Sequence, residues 1–260
     1  VGSGVAGAWR RMNFKDYFSR HAGDYVRYRP EYPDSLFDFL GKAVKHHELA
    51  WDSGTGNGQA ARGLAEYFDR VIATDPSAEQ IHHAVPHEKI TYLVAAAEHS
   101  EIPSHAVDLI TVAQAVHWFD LPRFYKEARR VLKPDGALAV WCYGLTQITP
   151  EIDAVVQHYY NNIVGPFWPP QRRYIDEQYK TLLFPFVELP APKMQMTAQW
   201  DLHEFSGYLQ TWSATKRFIE KHNQNPLDLA HPLLEKSWGD SGKRQTVCWP
   251  IHLRLGKMTA

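Results

Sequence analysis

From about residue 34 to residue 143 the apolar positions change period in strict alternation, from helical spacing to the short continuous runs of buried strands. A chain that alternates in this way feeds each strand into a crossover helix, and so predicts a parallel sheet with helices on both faces. Pro33, Asp34 and Ser35 open a helix expected over 36–47, with Leu36, Phe37, Leu40 and Val44 on one face. A short strand over 49–52, a helix over 59–67 and a second strand over 71–75 follow. After Asp75, Pro76 and Ser77 have the chemistry of a helix start. Strands are expected over 90–94 and 106–112, the latter apolar on both faces apart from Asp108 and Thr111. A helix over 124–132 should stop at the turn Lys133-Pro134-Asp135-Gly136, before a fifth strand over 137–143.

Beyond Tyr143 the texture changes. The span 144–200 carries Pro150, Pro166, Pro169, Pro170, Pro185, Pro190 and Pro192 among aromatics, and reads as a helical and aromatic insertion after the fifth strand that caps the substrate site. A helical pattern returns over 202–221. The run 246–257 reads as a final strand, in which Pro250 calls for an edge, a bulge or a later start. The Gly- and Ala-rich residues 1–11 read as a flexible leader before Met12, leaving 12–260 as one domain.

Composition narrows the partners. Lys and Arg number 28 against 29 Asp and Glu, so no global field draws in a nucleic-acid backbone or an anionic membrane. No run approaches the roughly 20 apolar residues of a membrane helix. Cys142 and Cys248 stand far apart in no paired motif, which suggests neither a disulfide framework nor a zinc site and fits a reducing, cytoplasmic setting. The adjacent pairs His46-His47 and His82-His83 point different ways on their helices and read as solvated faces.

The chemistry concentrates in Asp52-Ser53-Gly54-Thr55-Gly56-Asn57-Gly58, three glycines at alternate positions between a strand and a helix. Glycine there admits positive φ and lets a ligand approach bare backbone. Asp75 ends the second strand seventeen residues beyond the last glycine, where a carboxylate can accept from both ribose hydroxyls of an adenosine. A dinucleotide site usually has the spacing GxGxxG, with pyrophosphate on the helix N-terminus. Here the spacing is GxGxG and Asp52 immediately precedes it, an acid that repels phosphate but suits a cationic, amino-acid-bearing nucleoside. The segment 95–98, Ala-Ala-Ala-Glu, could border the adenine.

Taken in order, DSGTGNG, VIATD, AAAEHSEIP, VDLITVAQAVHWF and VLKPDGALAV resemble the successive motifs of the class I S-adenosylmethionine-dependent methyltransferases, in the type 11, small-molecule branch that includes ubiquinone-biosynthesis and trans-aconitate methyltransferases. The likeness covers roughly 14–143. YRPEYP at 28–33 and LQTWSA at 209–214 are similar to terminal segments of the trans-aconitate type. The resemblance implies a doubly wound, mostly parallel, seven-stranded Rossmann-like α/β sheet. It implies S-adenosylmethionine as cofactor and a small-molecule methyl acceptor, a carboxylic acid among the candidates, on a monomer or weak dimer. By position, Asp52, Gly54, Gly56 and Gly58 shape the methionine side and Asp75 holds the ribose. Pro76, Ala97 and Glu98 border the adenine, and the backbone at Gln114 flanks the methionine portion. Many relatives carry an acid where this chain has Ala96, and the backbone or Glu98 is expected to substitute.

A sulfonium methyl is already activated, so the protein must mainly align a nucleophile, exclude water and, where needed, take a proton. His117 is the available general base after the fourth strand, or else a residue that only closes the pocket; Trp118 is expected as a wall. Tyr25, Tyr28 and Arg29 precede the first helix, and Arg29 can pair with a carboxylate of cofactor or acceptor or with a surface acid. Tyr159, Tyr160, Phe167, Trp168 and Tyr174 can roof an acceptor pocket or simply form the core of the cap. A non-catalytic adenosine-binding module and, less readily, a nicotinamide oxidoreductase remain the competing readings.

Overall fold

The structure, a computed structural model, describes residues 28–258; the expected leader, Met12 and Tyr25 lie outside the described residues. Five strands run parallel in the spatial order 3-2-1-4-5: β1 (Leu49–Ser53), β2 (Arg70–Asp75), β3 (Ile90–Val94), β4 (Val107–Ala113) and β5 (Leu132–Tyr143). β8 (Gln245–Lys257) lies antiparallel beside β5. The far edge of β8 is shared by two antiparallel strands, β6 (Val187–Leu189) against 255–257 and β7 (Met194–Trp200) against 245–251. The expected seven strands are therefore eight, filling seven positions. Pro190 and Pro192 lie between β6 and β7, and each removes an amide donor from the edge that a continuous strand would need. The expected helical insertion over 144–200 is only partly helical, since its last third pairs with β8 as β6 and β7.

The helices follow the crossovers: α1 (Asp34–Lys42), α2 (Gln59–Ala65), α3 (Ala78–His82) and α4 (Leu121–Val131) among the parallel strands, then α5 (Pro150–His158) and α6 (Arg172–Asp176) in the insertion. α7 (Leu202–Gln210), α8 (Ser213–His222) and α9 (Leu227–Trp238) precede β8. The helical pattern expected over 202–221 breaks after Gln210, where the Thr211 amide and hydroxyl both bond to the Tyr208 carbonyl, at 3.0 and 2.6 Å, and close the last turn. The expected turn at 133–136 is a bulge inside β5: Val107 faces Leu132, but Leu109 faces Ala137. Pro250 is accommodated because it faces Gln195 of β7, while the ladder with β5 begins only at Ile251.

Side chains of β5 alternate between two cores. Ala137, Ala139, Trp141 and Tyr143 pack with Leu36 and Leu40 of α1, Leu64 of α2, and the aromatics of α7 and α9. Leu138, Val140 and Cys142 pack on the opposite face with Phe124, Ala128 and Val131 of α4 and with Ile175 and Tyr179 of the insertion. Each fully buried leucine contributes roughly 1.5–3 kcal/mol. At the amino ends of the strands, buried Asp108 accepts from the Glu48 and Leu49 amides, both at 3.0 Å, and pairs with Lys133 at 2.8 Å, so β1 and β4 are fastened at the end opposite the glycine turn.

Candidate active site

The glycine turn leaves β1 and hooks over β2. The amides of Gly54 and Thr55 both donate to the Thr74 carbonyl, at 2.8 and 2.9 Å, while Gly54, Gly56 and Gly58 hold φ values of 70°, 56° and 85°. At Gly54 a Cβ would lie 2.7 Å from the Ala115 Cβ, and at Gly58 it would run into the Tyr92 ring. Gly56 differs. A Cβ there would find its nearest neighbour among the described residues, Gln80 Oε1, at 3.8 Å, so the backbone at this position is the least crowded of the three.

Two acids organise this turn in different ways. Asp75, at the tip of β2, accepts from the Gly56 amide at Oδ2 and from the Ser77 amide at Oδ1, both at 2.9 Å, which ties the turn to the start of α3. A carboxylate oxygen has lone pairs for more than a single bond. Asp52 lies fully buried beneath the turn, its Oδ1 accepting from Thr111 at 2.7 Å and its Oδ2 from Thr55 at 2.5 Å. Burial pushes its carboxyl up to about 6 against the pull of those hydroxyls. Asp52 thus holds the turn to β4 through two threonines. Pro76 is exposed directly beyond Asp75.

A nucleoside cation fits these residues: two carboxylates flank a turn with an open backbone, where a pyrophosphate would be repelled. Across the tip of β3, the Ala95 amide donates to the Asp75 carbonyl at 3.1 Å, Ala97 is buried and Ala96 is exposed. Glu98 Oε1 accepts from the Asp120 amide at 2.8 Å, so this oxygen secures the start of α4. The structure brings Asp52, the three glycines, Asp75 and Pro76 together, with 95–98 beside them.

The tips of β4 and β5 form the other half of the crevice. Gln114 takes a φ of 56° and its side-chain amide donates to the Tyr143 carbonyl and accepts from the Tyr143 amide, both at 3.1 Å, prolonging the β4–β5 ladder. His117, on a short 3-10 turn (Val116–Trp118), is buried with Nδ1 2.8 Å from the Tyr179 hydroxyl. Burial, aided by the Arg172 charge, drives its imidazole down to about 3. A general base works best with a pKa near the working pH, and burial moves the His117 imidazole away from that range. Arg29 donates to the Tyr143 hydroxyl at 2.9 Å and lies 5.4 Å over the Tyr208 ring; its neighbour Pro30 accepts from Gln59 at 2.7 Å, pinning the N-terminal segment to the start of α2.

Sequence reasoning passed over the partners supplied by the insertion. Tyr179, fully buried, caps His117 from a position 62 residues away. Arg172 stacks on Trp168 at 4.5 Å and on Tyr160 at 5.2 Å. Its Nε donates to the Tyr160 hydroxyl at 2.8 Å and lies 3.5 Å from Asp176, to which that hydroxyl donates at 2.5 Å. The available signal was an arginine pair, Arg172-Arg173, set among aromatics directly after Pro169-Pro170-Gln171.

Comparison with known proteins identifies the family. A methyltransferase domain family matches residues 51–140. A Dictyostelium discoideum protein named as a methyltransferase is 37% identical over 252 residues, covering 94% of this chain and 95% of its own. A Saccharomyces cerevisiae protein named as an S-adenosylmethionine-dependent methyltransferase is 33% identical over 138 residues, covering 50% of this chain and 46% of its own. The solved structure of a type II methyltransferase from Anaeromyxobacter dehalogenans is 44% identical, covers 88% of this chain and 97% of its own, and superposes with a TM-score of 0.83. The chain belongs to the class I S-adenosylmethionine-dependent methyltransferases.

Proposed function

We propose that the protein transfers a methyl group from S-adenosylmethionine to a carboxylate oxygen of a small organic acid, in the cytoplasm and as a monomer or weak dimer. The observation that carries this reading is His117, the imidazole at the tips of the central strands, fastened to Tyr179 and held neutral with little basicity. An acceptor that must lose a proton on attack would find a poor base there. A carboxylate needs none, because it is already an anion at neutral pH.

In this reading Asp75 holds the ribose, the open backbone at Gly56 receives the amino-acid portion, and Pro76, Ala97 and Glu98 border the adenine. The bound cofactor supplies a methyl group on a sulfonium, an electrophile that needs no further activation. The work left to the chain is alignment and exclusion of water. Gln114 fixes the tips of β4 and β5 relative to each other, and Trp118, 5.1 Å from the His117 ring, walls the crevice. Among the described residues no helix is long and apolar enough to cross a membrane.

The product distinguishes this reading from methylation of nitrogen, sulfur or carbon. With methyl-labelled S-adenosylmethionine and a panel of small acids, amines and thiols, the labelled product is expected to be an ester that releases methanol in mild alkali. An alkali-stable labelled product would overturn the carboxylate assignment.

A further inference from the structure

We infer that Arg172 is the specificity-determining residue for the acceptor: its outer guanidinium edge receives an anionic group of the incoming molecule at the rim of the crevice. The inference rests on the small-acid reading above and adds the residue that recognises the acid.

Three observations place Arg172 there. First, it is held rigidly by its inner edge. Nε bonds to the Tyr160 hydroxyl at 2.8 Å, Asp176 lies 3.5 Å from the same nitrogen, and the guanidinium plane rests on Trp168 at 4.5 Å. Its side chain is only 16% exposed. Second, the outer edge is uncommitted: Nη1 and Nη2 have no hydrogen-bond partner among the described residues. A planar fork with one edge fixed and the other open is the arrangement that grips a carboxylate with two parallel bonds.

Third, Arg172 sits at the reacting end of the sheet. α6 packs on the 3-10 turn that carries His117, and the Arg172 charge is felt at His117, at Cys142 of β5 and at Tyr179. Tyr160 and Trp168 belong to the core on one face of the sheet, whereas Cys142 and Tyr179 belong to the core on the other. The guanidinium therefore lies where the two cores meet, over the carboxyl end of β5. Asp176 offsets part of its charge, but from the Nε side, which leaves the open edge cationic. Rigid aromatic walls and a pre-oriented fork lower the ordering cost of binding a small anion.

The test uses the full chain saturated with S-adenosylhomocysteine, and calorimetry with four probes: benzoate and succinate, and their neutral amides benzamide and succinamide. At least one acid is expected to bind about tenfold or more tightly than its amide. Arg172→Gln is expected to abolish that preference, and Arg172→Lys to keep part of it. Tyr160→Phe retains the charge but frees Nε, and should reduce the preference by a smaller factor. Affinity for S-adenosylhomocysteine should stay within about threefold in all three variants, which reports that the fold is retained. The inference is overturned if Arg172→Gln keeps the full preference or if neither acid is preferred over its amide by the unsubstituted protein. An alkali-stable product together with loss of the preference in Arg172→Gln would sink the esterification reading and leave the arginine assignment standing.

Discussion

The two halves of the crevice are built from different material. Over the tips of β1 and β2 the binding surface is backbone: glycines at positive φ, amides committed to Thr74 and Asp75, and two acids whose oxygens are tied within a few residues or to the adjacent strand. Over β4 and β5 it is side chain: Arg29 on Tyr143, His117 on Tyr179, and Arg172 on Tyr160 and Trp168. A backbone surface at positive φ tolerates almost no substitution. A side-chain surface can be rewritten residue by residue. In the proposed reading, the cofactor half depends on main-chain geometry and its two acids, whereas the acceptor half depends on a few long-range side-chain pairs.

That contrast can be broken most sharply at Gly58. Gly58→Val combines a φ of 85° with a Cβ driven into the Tyr92 ring, and is expected to cost about 3 kcal/mol or more of stability, read as a lower denaturation midpoint, together with loss of cofactor binding. Wild-type stability and affinity in Gly58→Val would show that the turn is not built as described. Asp52→Ala comes next. It strands the Thr55 and Thr111 hydroxyls in a buried site and should cost about 2–3 kcal/mol by chemical denaturation.

Asp52 and His117 also make opposite predictions with pH. The Asp52 carboxyl is raised in the folded state, so its contribution is present at pH below about 4 and is lost as pH rises through about 6. The His117 imidazole is depressed, so its contribution is present above about 6.5 and is lost as pH falls toward about 3. Denaturation curves between pH 7 and pH 4 should show Asp52→Asn losing more stability relative to wild type at the acid end, and His117→Gln losing less there. Parallel pH profiles for both variants would contradict the burial of these groups.

The smallest effect is expected in catalysis at His117. His117→Gln, which keeps polarity but cannot act as a base, should lower kcat by less than about tenfold at saturating cofactor, without introducing or removing an ionisation near neutral pH. A fall of about a hundredfold or more, with loss of the acid limb in the pH–rate profile, would support the general-base role instead.

The same contrast explains what could be read from residues alone. The turn, the run of parallel strands and the placement of Asp75 follow from local chemistry, because glycine spacing, strand runs and a terminal acid each lie within a short stretch of chain. Strand boundaries in that half were legible to within a few residues. The split edge at β6 and β7 was passed over although Met194, Met196, Ala198 and Trp200 alternate with Gln195, Thr197 and Gln199, because Pro190 and Pro192 made the whole span read as a cap. The company kept by His117 was not legible, because Tyr179 and Arg172 reach it from an insertion whose prolines and aromatics carry no period. Arg29 was legible as a candidate cation, but its seat on Tyr143, 114 residues away, was not.

The account rests on a sulfonium nucleoside gripped at the tip of β2, and calorimetry of S-adenosylhomocysteine binding to the wild-type chain and to Asp75→Ala tests it most directly. The wild type should bind at micromolar concentration or below, and Asp75→Ala should lose roughly 1–3 kcal/mol of that affinity through the missing ribose bonds. Equal affinity in the two proteins, or no binding by the wild type at millimolar ligand, would contradict it.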